Sequence, residues 1–364
     1  MIGALCLLVA VAVVVFGVVK PFGKDDAPTA GGTASADLVT VKGVIGSEKK
    51  EFFSDPLVAE AFAKAGYKVE VDTAGSREIA TTKDLAGYSF AFPASAPAAQ
   101  KLVEKVGAKN TYSPFYSPMA VATWEPVIQL LAKNGAASKD ADGVWQFDMS
   151  KYLQLVQENK RWTELEGAAD LYNSPRSVLV TSTDIRKSNS AAMYLAIASY
   201  TLNGNSVVSS EEQQQTVLPE ASKLFLNQGF SGSSSDEPFQ DYLTQGSGSS
   251  PLVMVYESQF LEEKLSNPSF PAEAVLAYPS PTVFSKHVVV PLDEDGDKIG
   301  KLLAENPELL KLAADHGFRT SGDTFTKNIT ENKITGVQAN IVNVAETPSY
   351  DVLENLIDAI SKEY

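Results

Sequence analysis

From residue 38 onward the sequence alternates short apolar runs of strand character with amphipathic helical runs, and this order constrains the fold more than any other feature. "LVTVKGVIG" reads as a strand. "SDPLVAEAFAKAG" reads as a helix with Ser54 or Asp55 as cap, Pro56 in the first turn, Gly66 as stop and a buried stripe of Leu57, Val58, Ala61, Phe62 and Ala65. "YKVEVDTAG" alternates at period two, "YSFAFPAS" is a further strand, "APAAQKLVEKVG" a helix and "SPMAVATW" a strand. Helices between strands at this spacing imply an α/β fold with helices packed on a largely parallel sheet. The middle of the chain is richer in helix, at "EPVIQLLAKNG", "DMSKYLQLVQENKRWTEL" and "QQQTVLPEASKLFLNQG", before a strand returns at "SPLVMVYE". The Gly/Ser-rich residues 229–251 read as surface loop, with neither a Walker lysine nor a GxGxxG spacing.

The first residues form a separate unit. Residues 2–19 are all apolar or Gly, just long enough to span a bilayer as a helix, and Lys20, Pro21 and Lys24 end the run. Residues 25–37, "DDAPTAGGTASAD", are small and polar, as expected of a tether. A transmembrane anchor and linker over residues 1–37 is the expectation, and with no basic segment before the run its charges do not orient it. Secretion after cleavage near Ala34 is the alternative, although that site lies far beyond the end of the apolar run.

With 364 residues, 44% of them hydrophobic, the chain is long enough for about two domains, each with a core. A formal net charge of -15, without clusters of Lys and Arg, works against nucleic acid as a partner. Cys6 is the single cysteine and His287 and His316 the two histidines, so neither a Cys/His zinc site nor a Cys/His catalytic pair can be assembled. There is no GxSxG elbow, and "DEDGD" at residues 293–297 lacks the glycine position of an EF-hand loop. These residues point to no enzyme, cofactor or metal.

One stretch carries most of the chemical interest. In "TSTDIRKSNSAAMYLA", residues 181–196, a β-branched run at Val178, Leu179 and Val180 leads through a polar turn into a helix that is apolar nearly all round. Ser188, Asn189 and Ser190 stand where that helix begins. They are either ordinary caps or a cradle in which hydroxyls and unpaired backbone N–H groups hold an anionic group.

The order of these pieces resembles the bacterial extracellular solute-binding proteins of the type 2 periplasmic-binding fold, the group that includes molybdate and sulfate binders. "VKGVIGSEK" is similar to the first strand and its ligand-facing turn, and "VLVTSTDIRKSNSAAMYLA" to a strand and helix of the second lobe. "SPLVMVYESQFLEE" resembles a later second-lobe strand, "AVLAYPSPTVFSKHVVVPL" the return to the first lobe, and "LLKLAADHGFRT" the end of a late helix. The resemblance implies two α/β lobes, residues 38–123 with 283–364 and residues 124–282, closing by a hinge on a small solute, with an ABC-type permease as partner and a monomeric soluble part. It places Gly46, Ser47, Glu48, Ser76 and Arg77 on one side of the cleft, and Asp184, Arg186, Ser188, Asn189, Ser190, Tyr256 and Glu257 on the other. Arg77 and Arg186 would clamp an anion or serve in salt bridges, Asp184 and Glu257 would meet a ligand amine or those arginines, and Tyr256 and Trp124 would line the cleft or fill core. Thr282 and His287 fall on the return crossing, where hinge packing accounts for them. Charged residues at the ligand turns, Glu48 and Asp184, argue against an inorganic oxyanion. A sensor or assembly module that binds a protein partner through the same face is the second function consistent with the sequence.

Overall fold

The computed structural model describes residues 38–229 and 231–364; the expected anchor and tether lie outside the described residues. Among the described residues no helix is long and apolar enough to cross a membrane.

Ten strands are formed by the described residues: β1 (Val39–Ile45), β2 (Tyr67–Thr73), β3 (Phe90–Phe92), β4 (Tyr112–Trp124), β5 (Ala137–Lys139), β6 (Trp145–Asp148), β7 (Leu252–Tyr256), β8 (Ala274–Ser280), β9 (Phe284–Pro291) and β10 (Arg319–Thr320). They run in the order β2-β1-β3-β9-β4-β8-β6-β5, with β7 and β10 also paired to β4. β1 pairs parallel with β2 and β3, while β9 lies antiparallel to β3. The long strand β4 joins the two halves of the structure. Its first half pairs with β9 and β10, and its second half with β7 and β8. The return passage is β8 followed by β9, so two passages of chain, not one, connect the halves.

Local chemistry explains the elements that lead to the cleft. Asp55 caps the helix Pro56–Lys64, its carboxylate accepting from Leu57 N at 2.7 Å, with Pro56 at the first position as expected. Val58, Ala61 and Phe62 are its buried stripe; Leu57, counted in that stripe from sequence, is 57% exposed because it sits one position off the face. Residues 178–180 do not form the expected strand. Val178 N donates to Lys160 O and Val180 N to the Tyr152 hydroxyl, and only Thr181 reaches the sheet, bridging Val253 in parallel. Nor are residues 229–251 all loop: Asp236–Gln245 is a helix whose start is tied by Glu237 accepting from Ser233 N and Ser234 N, and which buries Phe239 and Tyr242. Two apolar residues spaced for one helix face outweigh the Gly/Ser composition around them.

The apolar interior falls into three clusters. The largest holds Trp162, the inward residues of β7 and nearly the whole helix Asn189–Leu202. A second packs Phe52, Phe62, Phe90, Phe92, Phe115 and Phe318, and a third Val44, Ile79, Leu102 and Val290, on the β1–β3–β9 side. Each fully buried side chain of this size contributes roughly 1.5–3 kcal/mol, so both sides hold a core of their own. The chain after β9 serves both: Ile299 and Leu303 join the second cluster, whereas Leu353, Leu356, Ile357 and Ile360 of the last helix join the first.

Candidate functional site

At the end of β1 the backbone turns at Gly46 into a single 3-10 turn, Ser47–Lys49, and then into the short helix Lys50–Ser54. The turn folds the Glu48 side chain back over Gly46, so that a Cβ there would press on the Glu48 carboxylate, the movable end of that side chain. Lys49 points inward and is 0% exposed. Its ammonium lies 4.8 Å from the Phe92 ring centroid, bonds to Glu48 Oε1, and stands 3.1 Å from His287 Nδ1 on β9. Burial lowers the Lys49 pKa, and Glu48 opposes that shift. Burial, and then the charge of Lys49, push His287 well below its usual range, so the imidazole is neutral. A neutral imidazole beside an ammonium accepts at Nδ1, which leaves the proton on Nε2. That nitrogen is buried and has no hydrogen-bond partner among the described residues.

Two other elements reach the same place. Tyr256 ends β7 fully buried, its ring 6.3 Å from that of His287. Its hydroxyl, raised in pKa by burial and then by the charge of Glu48, accepts from Asn189 Nδ2 at 3.0 Å. Asn189 also donates to Ala94 O at 3.4 Å, and Ser285 donates to the same carbonyl. Glu48, Asn189 and Tyr256, far apart in sequence, are therefore brought onto one buried polar floor.

Glu48 is shared between this floor and a neighbouring cavity of about 480 Å³, whose lining does not include Lys49, Asn189, Tyr256 or His287. The first turn forms one wall with Ser47, Glu48 and Glu51, and the helices Asp236–Gln245 and Glu257–Ser266 form the other with Asp236, Gln259 and Glu263. Gln259 is 8% exposed; its Oε1 accepts from Tyr256 N at 3.2 Å, while its Nε2 has no partner among the described residues. Ser47 and Ser234 meet at 3.3 Å, and beyond them opens a second cavity of about 600 Å³, lined by Thr73, Gly75, Arg77, Lys187 and Ser233. Glu262, also in the first cavity's wall, accepts from His316 Nδ1 at 2.7 Å, and Asp55 holds the other ring nitrogen at 3.0 Å. Burial works against the His316 cation, but the bonds to Glu262 and Asp55 outweigh it and raise the pKa.

The other residues expected at the site have bonds within the protein. Ser76 is buried and accepts from Ala94 N at 2.8 Å. Arg77 grips Glu354 through Nε and Nη2, both at 2.6 Å, and its Nη1 reaches the carbonyls of Ile185 and Arg186. Gly75 comes equally close to that segment: a Cβ there would lie 2.9 Å from Lys187 O. Asp184 accepts from Arg186 Nε and Nη2 at 2.8 and 2.7 Å; burial pulls its pKa up, yet these bonds hold it below the usual range. Ser188 caps the helix Asn189–Leu202, and its hydroxyl lies 3.0 Å from that of Ser190, which lies 2.8 Å from Thr183 Oγ1. Glu257 is away from the cleft floor, paired with Arg319 in the interior. Trp124 packs on Tyr242 and donates to Ser250 O, and Thr282 donates to Met119 O at the crossing.

Sequence reasoning missed Lys49, Ser234 and Gln259, and gave His287 to hinge packing. For His287 a signal existed: in "FSKHVVVP" Ser285, His287 and Val289 share the inward face of the strand, with Lys286 outside. A lysine opening a short helix gives no such sign. Among the described residues no group of three or more His, Cys, Asp or Glu is placed to hold a metal ion.

No family model matches the chain, and no curated protein is similar to it in sequence. Solved structures are similar in fold. The sulfate-binding protein SubI from Mycobacterium tuberculosis superposes with a TM-score of 0.53 at 14% identity, covering 88% of this chain and 98% of that one. A ferric binding protein from Campylobacter jejuni gives 0.56 at 11% identity, covering 89% and 98%. An ABC transporter structure from Clostridium perfringens gives 0.53 at 13% identity, with the same coverage of 89% and 98%. The element order, the two passages between the halves and these superpositions agree: the described chain has the fold of the type 2 periplasmic solute-binding proteins.

Proposed function

We propose that this protein captures a small polar or anionic solute between two lobes, residues 38–123 with 283–364 and residues 124–282, and hands it to an ABC-type permease. The observation that carries the reading is the cavity that shares Glu48 with the buried Lys49–His287 cluster. It is walled by elements from both sides of the crossing strands and contains a buried amide, that of Gln259, with donor capacity to offer. Ser47, Glu48, Ser234 and Gln259 are the contacts proposed. Asn189 and Tyr256 orient the floor, Arg77 and Arg186 line the second cavity beside it, and Asp184, Ser188 and Ser190 hold the segment around Arg186 in place. No catalytic step is part of this reading, and solved proteins of this fold are named as binders of sulfate and of ferric ion. The apolar residues 2–19 would hold the soluble part, a monomer, at the outer face of the cell membrane.

One set of observations favours the second reading, a sensor or assembly module that engages a protein partner. The two sides are bonded directly to each other, through Arg77 to the carbonyls of residues 185 and 186, through Asn189 to Ala94, and through Ser47 to Ser234. A thermal-shift screen of the purified soluble part against anions, amino acids, amines and sugars separates the two. Solute capture predicts a saturable rise in melting temperature for one class, and a flat response to all of them supports the module.

A further inference from the structure

The buried floor of the cleft contains a carboxylate that belongs to the protein itself. Lys49 is a fully buried ammonium whose single anionic partner among the described residues is Glu48, the residue next to it in sequence. The remaining neighbours are a neutral imidazole and the face of Phe92. A charge so placed is expensive unless paired, and the turn supplies the pair by folding Glu48 back over Gly46, which has no side chain to press on it. Unlike a core ion pair, this one borders a cavity: Glu48 is part of its wall, and its side chain is 6% exposed.

We propose that Lys49 is the anion subsite of the cleft and that Glu48 fills it from within, so that a ligand carboxylate binds by displacing the Glu48 side chain into the cavity mouth. The inference rests on the solute-capture reading and deepens it by naming the group the solute presents. Displacement is isoelectric at Lys49, one carboxylate leaving as another arrives, so the cost of the buried ammonium is never exposed. The released Glu48 carboxylate can reach water through the cavity beside Ser47 and Glu51. The rim carries Glu51, Asp236, Glu262 and Glu263 against the single cation Lys50, an acidic excess that opposes the entry of a bare anion and leaves a carboxylate bearing a cationic group elsewhere in the molecule as the better fit.

Formate, the smallest carboxylate, is the probe. In Glu48→Ala the subsite is vacated, and formate should raise the melting temperature saturably, with an affinity at least about tenfold above that of the wild-type protein. Glu48→Ala combined with Lys49→Met should lose the response. Glu48→Gln, which keeps the shape of the turn, is read in the same way if the alanine variant does not fold. A formate response in Glu48→Ala or Glu48→Gln that requires Lys49 establishes the subsite. Indifference to formate, or an equal response without Lys49, overturns it. The solute-capture reading stands or falls separately, on the solute screen of the wild-type protein, because the formate experiment needs no natural ligand.

Discussion

Two buried ion pairs, one in the interior and one at the cleft, show what distinguishes a structural charge from an exchangeable one. Arg319 gives Nε and Nη2 to the two oxygens of Glu257 at 2.6 and 2.8 Å, gives Nη1 to Ala339 O at 2.9 Å, and also bonds Gln338 O. The Phe325 ring lies 4.3 Å from the guanidinium, and Tyr278 adds its hydroxyl to Glu257. Each partner is fixed from several directions. Lys49 and Glu48 are as deeply buried, but the pair is monodentate, adjoins an imidazole with an orphaned nitrogen and opens on a cavity. A planar fork with four of its five N–H donors engaged has little slack for a ligand, whereas a point charge with a single carboxylate does. Glu257, expected from sequence at the ligand site, thus belongs to the first kind and Glu48 to the second.

The contrast can be broken by mutation. The largest effect is expected for Arg319→Met, which strands the Glu257 carboxylate in the interior and should cost about 3–5 kcal/mol in urea unfolding. Lys49→Met should cost far less, roughly 1.5 kcal/mol or below, because Glu48 can turn out into the cavity once its partner is gone. Equal losses for the two variants would erase the distinction. Ser188→Ala should lower stability by about 1 kcal/mol through loss of the helix cap, with solute affinity unchanged, since the Ser188 and Ser190 hydroxyls are already engaged with each other and with Thr183. The smallest effect concerns pH. His316 has a raised pKa in the folded state, so its contribution is fully present below the unfolded value and is lost as pH rises through the folded one. Between about pH 6 and about pH 8 the wild-type protein should therefore lose up to about 1 kcal/mol more than His316→Gln, because the imidazolium bonds to Asp55 and Glu262 weaken. Parallel curves for the two proteins would show that the bridge does not titrate there.

Most of the fold could be read from the chain because its signals are local. Asp55 with Pro56, the period-two run of residues 67–71 and the apolar helix after Ser188 each specify one element within a few residues. The failures were also local. The apolar run 178–180 looked like a strand but is satisfied by Tyr152 and Lys160, and the helix Asp236–Gln245 was hidden by its Gly/Ser surroundings. The site was less legible, for a physical reason. Sequence placed Glu48, Asn189 and Tyr256 at one cleft, and the structure brings them together, but what they surround is Lys49 and His287. Nothing local distinguishes a lysine that turns inward from one that faces water, since the distinction is made by β9, 238 residues away.

The claim that the cavity beside this floor is where solute binds is tested most directly at Gln259, whose amide contributes to the wall without belonging to the ion pair. Calorimetric titration with the solute found by the screen should show Gln259→Ala binding about tenfold or more weakly than the wild-type protein, alongside a loss of roughly 1–3 kcal/mol in urea unfolding because Tyr256 N loses its acceptor. Equal affinity for the two proteins would place the ligand elsewhere and contradict the account.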